Sequence, residues 1–206
     1  MITLDHLAIS AKTLAEGVAH IEAVLGVTPC AGGRHALMGT HNRLLGLGDG
    51  LYLEVIAIDP AAPAPQIPRW FDLDRFDGPP RLTNWVARCS DLHATLAAET
   101  PAGSGVPMAL SRGDLRWLMA VPGDGRLPFD GAFPALIEWQ GNLRPWASLP
   151  DSRCRLKKLT IAHPDCSSLV RKLAPLFSDA RVAFETAPEP ALTAVFETPS
   201  GERVLR

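Results

Sequence analysis

The first 58 residues hold the pattern that most restricts what this chain can fold into. A short apolar strand is followed by a helix and three further strand segments, and the two most apolar strands each contain one residue that apolar strands do not need, His6 and Glu54. Strand side chains alternate between faces. In Leu4-Asp5-His6-Leu7-Ala8-Ile9-Ser10, Leu7 and Ile9 therefore share one face, and Leu4, His6 and Ala8 the other. In Leu51-Tyr52-Leu53-Glu54-Val55-Ile56-Ala57-Ile58, Leu51, Leu53 and Val55 share a face opposite Tyr52, Glu54 and Ile56. Between these strands Leu14, Val18, Ile21, Val24 and Leu25 recur at helical spacing and end at Gly26, where a left-handed cap is cheapest. Arg34 to Met38 and Asn42 to Leu47 read as a hairpin around Gly39-Thr40-His41. A helix laid over Leu7 and Leu53 leaves an imidazole and a carboxylate on the opposite face, and both are ligands for divalent metals.

The pattern recurs. Leu82 to Cys89 reads as a strand, Asp91 as the N-cap of a helix over Leu92 to Ala98, Arg116 to Val121 as a strand, and Ala135 to Trp139 as a closing strand that contains Glu138. Counting back from the two helix starts sets Asn84 at the place of His6, and Glu138 takes the place of Glu54. Two such units stack because neither buries its sheet alone. The predicted divisions are a first βαβββ unit at 1–60, a Pro-rich linker at 61–81, a second βαβββ unit at 82–141 and a third, partial βαββ unit at 154–206. The linker carries Trp70, Phe71 and Phe76, expected to pack it down. Trp85, Trp117 and Trp139 are expected in the core between sheet and helices. The third unit has an amphipathic helix with Leu169, Leu173, Leu176 and Phe177 on its apolar side. An odd half-sheet leaves a face to cover, which predicts a homodimer paired through this unit.

Composition removes several classes. Net charge is −2 with lysine and arginine scattered, so there is no basic stripe for nucleic acid. No apolar run approaches the roughly 20 residues that span a bilayer, and no basic-then-apolar leader opens the sequence. With Cys30, Cys89, Cys154 and Cys166 far apart and forming no Cys-x-x-Cys, the expectation is free thiols and a cytoplasmic protein. There is no Gly-rich phosphate loop and no Gly-x-Ser-x-Gly.

Leu4-Asp5-His6-Leu7-Ala8-Ile9, Gly32-Gly33-Arg34-His35, Gly39-Thr40-His41-Asn42 and Leu51-Tyr52-Leu53-Glu54-Val55-Ile56 together resemble the vicinal oxygen chelate superfamily, which includes glyoxalase I, extradiol dioxygenases and bleomycin-resistance proteins. The details look most like its glyoxalase-like domain branch. The resemblance implies an α+β fold of repeated βαβββ units forming a cupped mixed sheet around a cleft. It also implies metal ligands at His6, Glu54 and Glu138, with Asn84 at the fourth position, where histidine or glutamine is usual. The implied cofactor is a divalent ion, Fe, Mn, Ni, Zn or Co. The implied activity is that of a metal-dependent lyase, isomerase or dioxygenase acting on a small substrate with vicinal oxygens. Glu138 or Glu54 would move the proton, and Asn84, His41 and Arg43 are the candidate substrate contacts. A metal-free small-molecule binding protein of bleomycin-resistance type is the alternative.

Overall fold

In the computed structural model, which describes residues 1–98 and 100–206, the first unit runs β1 (Thr3–Ser10), α1 (Leu14–Leu25), β2 (Cys30–His35), β3 (Thr40–Gly48) and β4 (Leu51–Ile58). Helix α1 starts where Thr13 and Glu16 cap each other reciprocally, and it stops at Gly26, whose φ is 70°. The second unit runs β5 (Arg81–Arg88), α2 (Leu92–Ala97), β6 (Val106–Arg112), β7 (Leu115–Val121) and β8 (Ala135–Gln140). Strand β6 has no counterpart in the sequence reading. It carries Pro107 and forms the outer edge of the sheet, where a missing N–H is tolerated.

The two units make one eight-stranded sheet in the order β2-β3-β4-β1-β5-β8-β7-β6. The central pair β1 and β5 is antiparallel, while β1/β4 and β5/β8 are parallel. The architecture is α+β, a curled mixed sheet with few helices. One face of the sheet, with Leu7, Ile9, Leu53, Val55 and Trp85, joins the core that also holds α1 and α2. The other, concave face carries Ala8, Ile56, Val86, Trp117 and Ile137.

The tail runs α3 (Pro145–Ser148), β9 (Arg155–His163), α4 (Cys166–Leu173), β10 (Val182–Thr186), β11 (Ala191–Thr198) and β12 (Gly201–Leu205). Strand β12 completes it, so the tail is not the partial βαββ unit expected. Nor is it a copy of the first two. Its sheet order is β10-β9-β11-β12, with the parallel partners β9 and β10 joined directly through α4. A linear order of elements does not specify which strands become neighbours.

The face expected to be covered by a second subunit is covered within the chain. Leu159, Ile161, Leu169, Leu173, Phe177 and Phe196 share a single core with Leu4, Leu7 and Trp85. The Phe177 ring sits edge-on to Trp85 at 5.0 Å, and the backbone is stitched by Ile2 N to Leu176 O at 2.8 Å and Leu82 N to Arg206 O at 3.0 Å. Burying large side chains such as Phe196 contributes on the order of 3 kcal/mol each, so the tail is bound to the first two units by its own core. All four cysteines are free.

Candidate functional site

The concave face is roofed by the Pro-rich linker. Trp70, Phe71 and Leu73 pack onto it and close a cavity of about 30 Å³ lined by His6, His35, Tyr52, Glu54 and Arg112 and by the aromatic rings of Trp117 and Trp139. Trp117 and Trp139 thus belong to this cavity and not to the helix-side core where the sequence reading put them. The backbone of the roof is strained, with φ of 59° at Phe71 and 53° at Asp72.

Strand β1 does not alternate cleanly. Its pairing with β5 slips between Leu4 and His6. The bulge at Asp5 sends Leu4 and Leu7 to the same core and sets the buried Asp5 carboxyl behind the His6 ring, which lines the cavity. His6 Nδ1 stands 2.6 Å from Asp5 Oδ1, and its Nε2 stands 3.5 Å from Glu54 Oε2. Trp139 Nε1 donates to Asp5 Oδ2 at 3.0 Å, and Arg88 reaches the same oxygen at 3.5 Å. Tyr52 stacks on the His6 ring at 4.4 Å. Burial alone would lower the His6 pKa, but hydrogen bonds to Asp5 and Glu54, and their charges, outweigh it and raise the pKa to about 9. Burial would raise Glu54, but the His6 bond and charge and the Asn42 bond bring it down to about 2. The dyad is therefore an ion pair at neutral pH, flanked by a second carboxylate.

A second chain of bonds supports Glu54 from the other side. Asn42 Nδ2 donates to Glu54 Oε1 at 2.5 Å, and Asn42 Oδ1 accepts from Gly33 N at 2.8 Å and Arg112 Nη1 at 3.1 Å. His35 Nδ1 donates to Thr40 Oγ1 at 2.9 Å, and its Nε2 accepts from Asn42 Nδ2 at 3.4 Å. That arrangement suits a neutral ring, and burial lowers the His35 pKa to about 4. The Gly32-Gly33 pair is explained here. A Cβ at Gly32 would lie 2.5 Å from the Asn42 carbonyl oxygen, and one at Gly33 would lie 2.4 Å from Arg112 Cδ. Only glycine lets both side chains approach this hairpin.

His6 and Glu54 meet as expected, but the other predicted residues do not join them. Glu138 lies on the helix side, where Oε2 accepts from Leu92 N at 2.7 Å at the start of α2 and Oε1 from Gln140 Nε2 at 2.6 Å. Strand pairing gives the reason. Ala8 pairs with Glu54, and Val86, two residues past Asn84 as Ala8 is two past His6, pairs with Ala135. Ala135 therefore holds the Glu54 position. Glu138 comes three residues later, an odd step that turns it to the opposite face. His41 and Arg43 alternate with Asn42 and share the outer face with Leu45 and Leu47. Arg43 has no place in the cavity, and the nearest acid to His41 is Asp59, at 4.0 Å. Asn84 is buried on the concave side but beside Ala8, and it lines a different cavity. The sequence reading missed Asp5, Asn42 and Arg112 as site residues. Asp5 was hidden by the bulge and Arg112 by the unread edge strand.

The donor set does not fit the metal centre that the resemblance implied. The second unit offers Ala135 and an Asn84 that lines a different cavity in place of two ligands, which leaves only His6 Nε2 and Glu54 as donors. Among the described residues no group of three or more His, Cys, Asp or Glu side chains is placed to hold a metal ion.

Comparison with known proteins places the fold. The model of the glyoxalase-like domain family matches residues 4–177. The chain belongs to that family. Glyoxalase-like domains are part of the vicinal oxygen chelate superfamily, so the fold and family implied by the first 60 residues stand. A crystal structure of a hypothetical protein from Staphylococcus aureus matches this glyoxalase-like protein with a TM-score of 0.61 at 12% identity, covering 92% of this chain and 88% of that one. Methylmalonyl-CoA epimerase from Mycobacterium tuberculosis matches with a TM-score of 0.42 at 19% identity, covering 68% of this chain and 88% of that one. A variant of the Streptomyces coelicolor epimerase in complex with 2-nitronate-propionyl-CoA matches with a TM-score of 0.44 at 14% identity, covering 69% and 100%. No curated protein matches the sequence. No helix among the described residues is long and apolar enough to cross a membrane.

Proposed function

We propose that this glyoxalase-like protein binds a small carbonyl compound in the inner cavity and moves a proton on it without a resident metal ion. The observation that carries this reading is the His6–Glu54 pair, backed by Asp5, on the wall of a narrow cavity lined by aromatic rings. The His6 imidazolium donates from Nε2 to the carbonyl oxygen and so stabilises negative charge as it develops there. Glu54 takes the proton from the neighbouring carbon. The C–H bond breaks, its electron pair moves toward the carbonyl, and the proton rests on a Glu54 oxygen until it is returned. At rest the His6 bond keeps Glu54 a weak base. A ligand oxygen that takes over the His6 N–H removes that partner and makes Glu54 more basic only once substrate is bound. At about 30 Å³ the cavity has room for little more than a water molecule. Entry therefore requires Trp70 and Phe71 to move with the linker.

A panel of small ketones, 2-oxo acids and thioesters in D₂O tests this, with ¹H NMR following loss of the proton next to the carbonyl. At least one compound should exchange. The rate should be insensitive to EDTA and fall at least about 100-fold in Glu54→Gln. Exchange that EDTA abolishes and Fe, Mn, Ni, Zn or Co restores would return the protein to the metal-dependent lyase, isomerase or dioxygenase reading. The depressed Glu54 pKa favours a second reading, a binding protein that does no chemistry. Tight binding without exchange would establish it.

A further inference from the structure

A larger cavity of about 440 Å³ lies where β5, the linker, the loop before β8 and the start of β11 meet, and no part of the acid–base array opens into it. Phe71 is the one residue common to both cavities. Its walls are apolar where Leu82, Leu127 and Leu192 face it, yet its lining holds four arginines, Arg75, Arg81, Arg126 and Arg206, against two aspartates, Asp72 and Asp130. Within the lining the cations outnumber the acids, with Asp124 and Asp77 the further acids near Arg75 and Arg81. Asp72 is shared between Arg75 at 2.5 Å and Arg126 at 3.3 Å. Asp130 faces His163 at 3.6 Å. Arg81 reaches only the carbonyls of Asp77 and Pro79 and stacks on Phe76 at 4.4 Å. Arg206 makes no side-chain hydrogen bond or ion pair among the described residues. A concave, part-apolar wall with surplus guanidinium charge focuses a positive field and binds carboxylate, sulfonate or phosphate oxygens in forked pairs.

A second observation points to a ligand independently. Asn84 is 4% exposed, lines this cavity, and its Oδ1 is buried with no hydrogen-bond partner. An unsatisfied buried acceptor costs about 1–3 kcal/mol, and the amide nitrogen of the same side chain stands beside Gly131 of the cavity wall, where it can donate to a ligand oxygen. Pro190, Ala191 and Leu192 close one side of the cavity, so the tail supplies a wall of the site as well as a buttress for the sheet. From this convergence we infer that the outer cavity is a binding site for an organic anion with an apolar body. The volume is that of ordinary small-molecule sites. The inference does not depend on what the inner cavity does.

Fluorescence titration with 8-anilinonaphthalene-1-sulfonate and with N-phenyl-1-naphthylamine, which lacks only the sulfonate, tests it on the full-length protein. The sulfonate should saturate one site with an affinity at least tenfold above that of the neutral probe. The double variant Arg126→Gln/Arg206→Gln should lose at least tenfold for the sulfonate and leave the neutral probe unchanged. Ala191→Trp, a filling substitution at an exposed position on the tail's wall, should remove binding of both probes without lowering Tm. Equal affinity for the two probes, an unchanged sulfonate affinity in the arginine variant, or undiminished binding in Ala191→Trp would overturn the inference. Variants at His6 and Glu54 should bind the sulfonate as the parent does, which separates this site from the acid–base cavity.

Discussion

The protonation of His6 is the most exacting consequence of the site's geometry. Its ring is buried, with one carboxylate oxygen at 2.6 Å and another at 3.5 Å. Its pKa of about 9 lies well above the ordinary 6.5. That rise corresponds to about 3 kcal/mol of preference for the charged form. The unfolded chain loses the proton near pH 6.5 while the folded protein keeps it to about 9. Between those values the folded state binds more protons, so stability falls as pH rises, by about 3 kcal/mol across the window. The contribution is fully present below pH 6.5. Replacing Asp5 by asparagine keeps an acceptor near Nδ1 but removes one charge and leaves Arg88 unbalanced beside the ring. The His6 pKa should then drop by at least about 1 unit, equivalent to 1.4 kcal/mol. Long-range ¹H–¹⁵N correlation spectra of histidine-labelled protein report the midpoint directly. Urea denaturation at pH 6.5 and pH 9 reports the linked stability, and the slope should flatten in Asp5→Asn. A wild-type His6 that titrates at or below 6.5, or a midpoint unmoved by Asp5→Asn, would refute the reasoning.

The neighbouring His35 should behave in the opposite sense, with a midpoint near 4 in the same spectra. Its folded pKa is depressed, so stability present above pH 6.5 should be lost as pH falls toward 4, and a midpoint above 6 would contradict the neutral ring assigned here. Gly32→Ala should cost about 1–3 kcal/mol in urea denaturation, because the added carbon meets Asn42 backbone 2.5 Å away and backbone cannot yield; a loss under 0.5 kcal/mol would show that the hairpin relaxes. Glu138→Gln should weaken only the start of α2, by about 1 kcal/mol, and leave the His6 midpoint unmoved, whereas Glu54→Gln should lower that midpoint. A Glu138→Gln protein with a shifted His6 would mean that Glu138 communicates with the site after all.

Helix α1, the apolar strands β1 and β4 and the His6–Glu54 pair were legible in the sequence, but the hairpin strand read at Arg34 to Met38 lies instead at Cys30–His35, with residues 36–39 forming the turn. The helical spacing from Leu14 to Leu25, the Gly26 stop and the apolar strand around Glu54 are local signals, and local signals suffice where one face must be buried and the period is unbroken. The glyoxalase-like family was legible from the same stretch. What failed depended on pairing. The bulge at Asp5 added a carboxylate that strict alternation had sent to the other face. The register of β8 against β5 put Ala135 where Glu138 was expected. The tail spells strand, helix and strands like the first two units, yet its strands join in another order and its apolar face closes on its own chain. The inner cavity needs a roof from the linker, and the outer one needs walls from five separate segments. A one-residue slip reverses every side chain in a strand, and neighbour choice among strands is settled by which faces bury together. Those are properties of the assembled sheet, which no single strand carries in its own pattern.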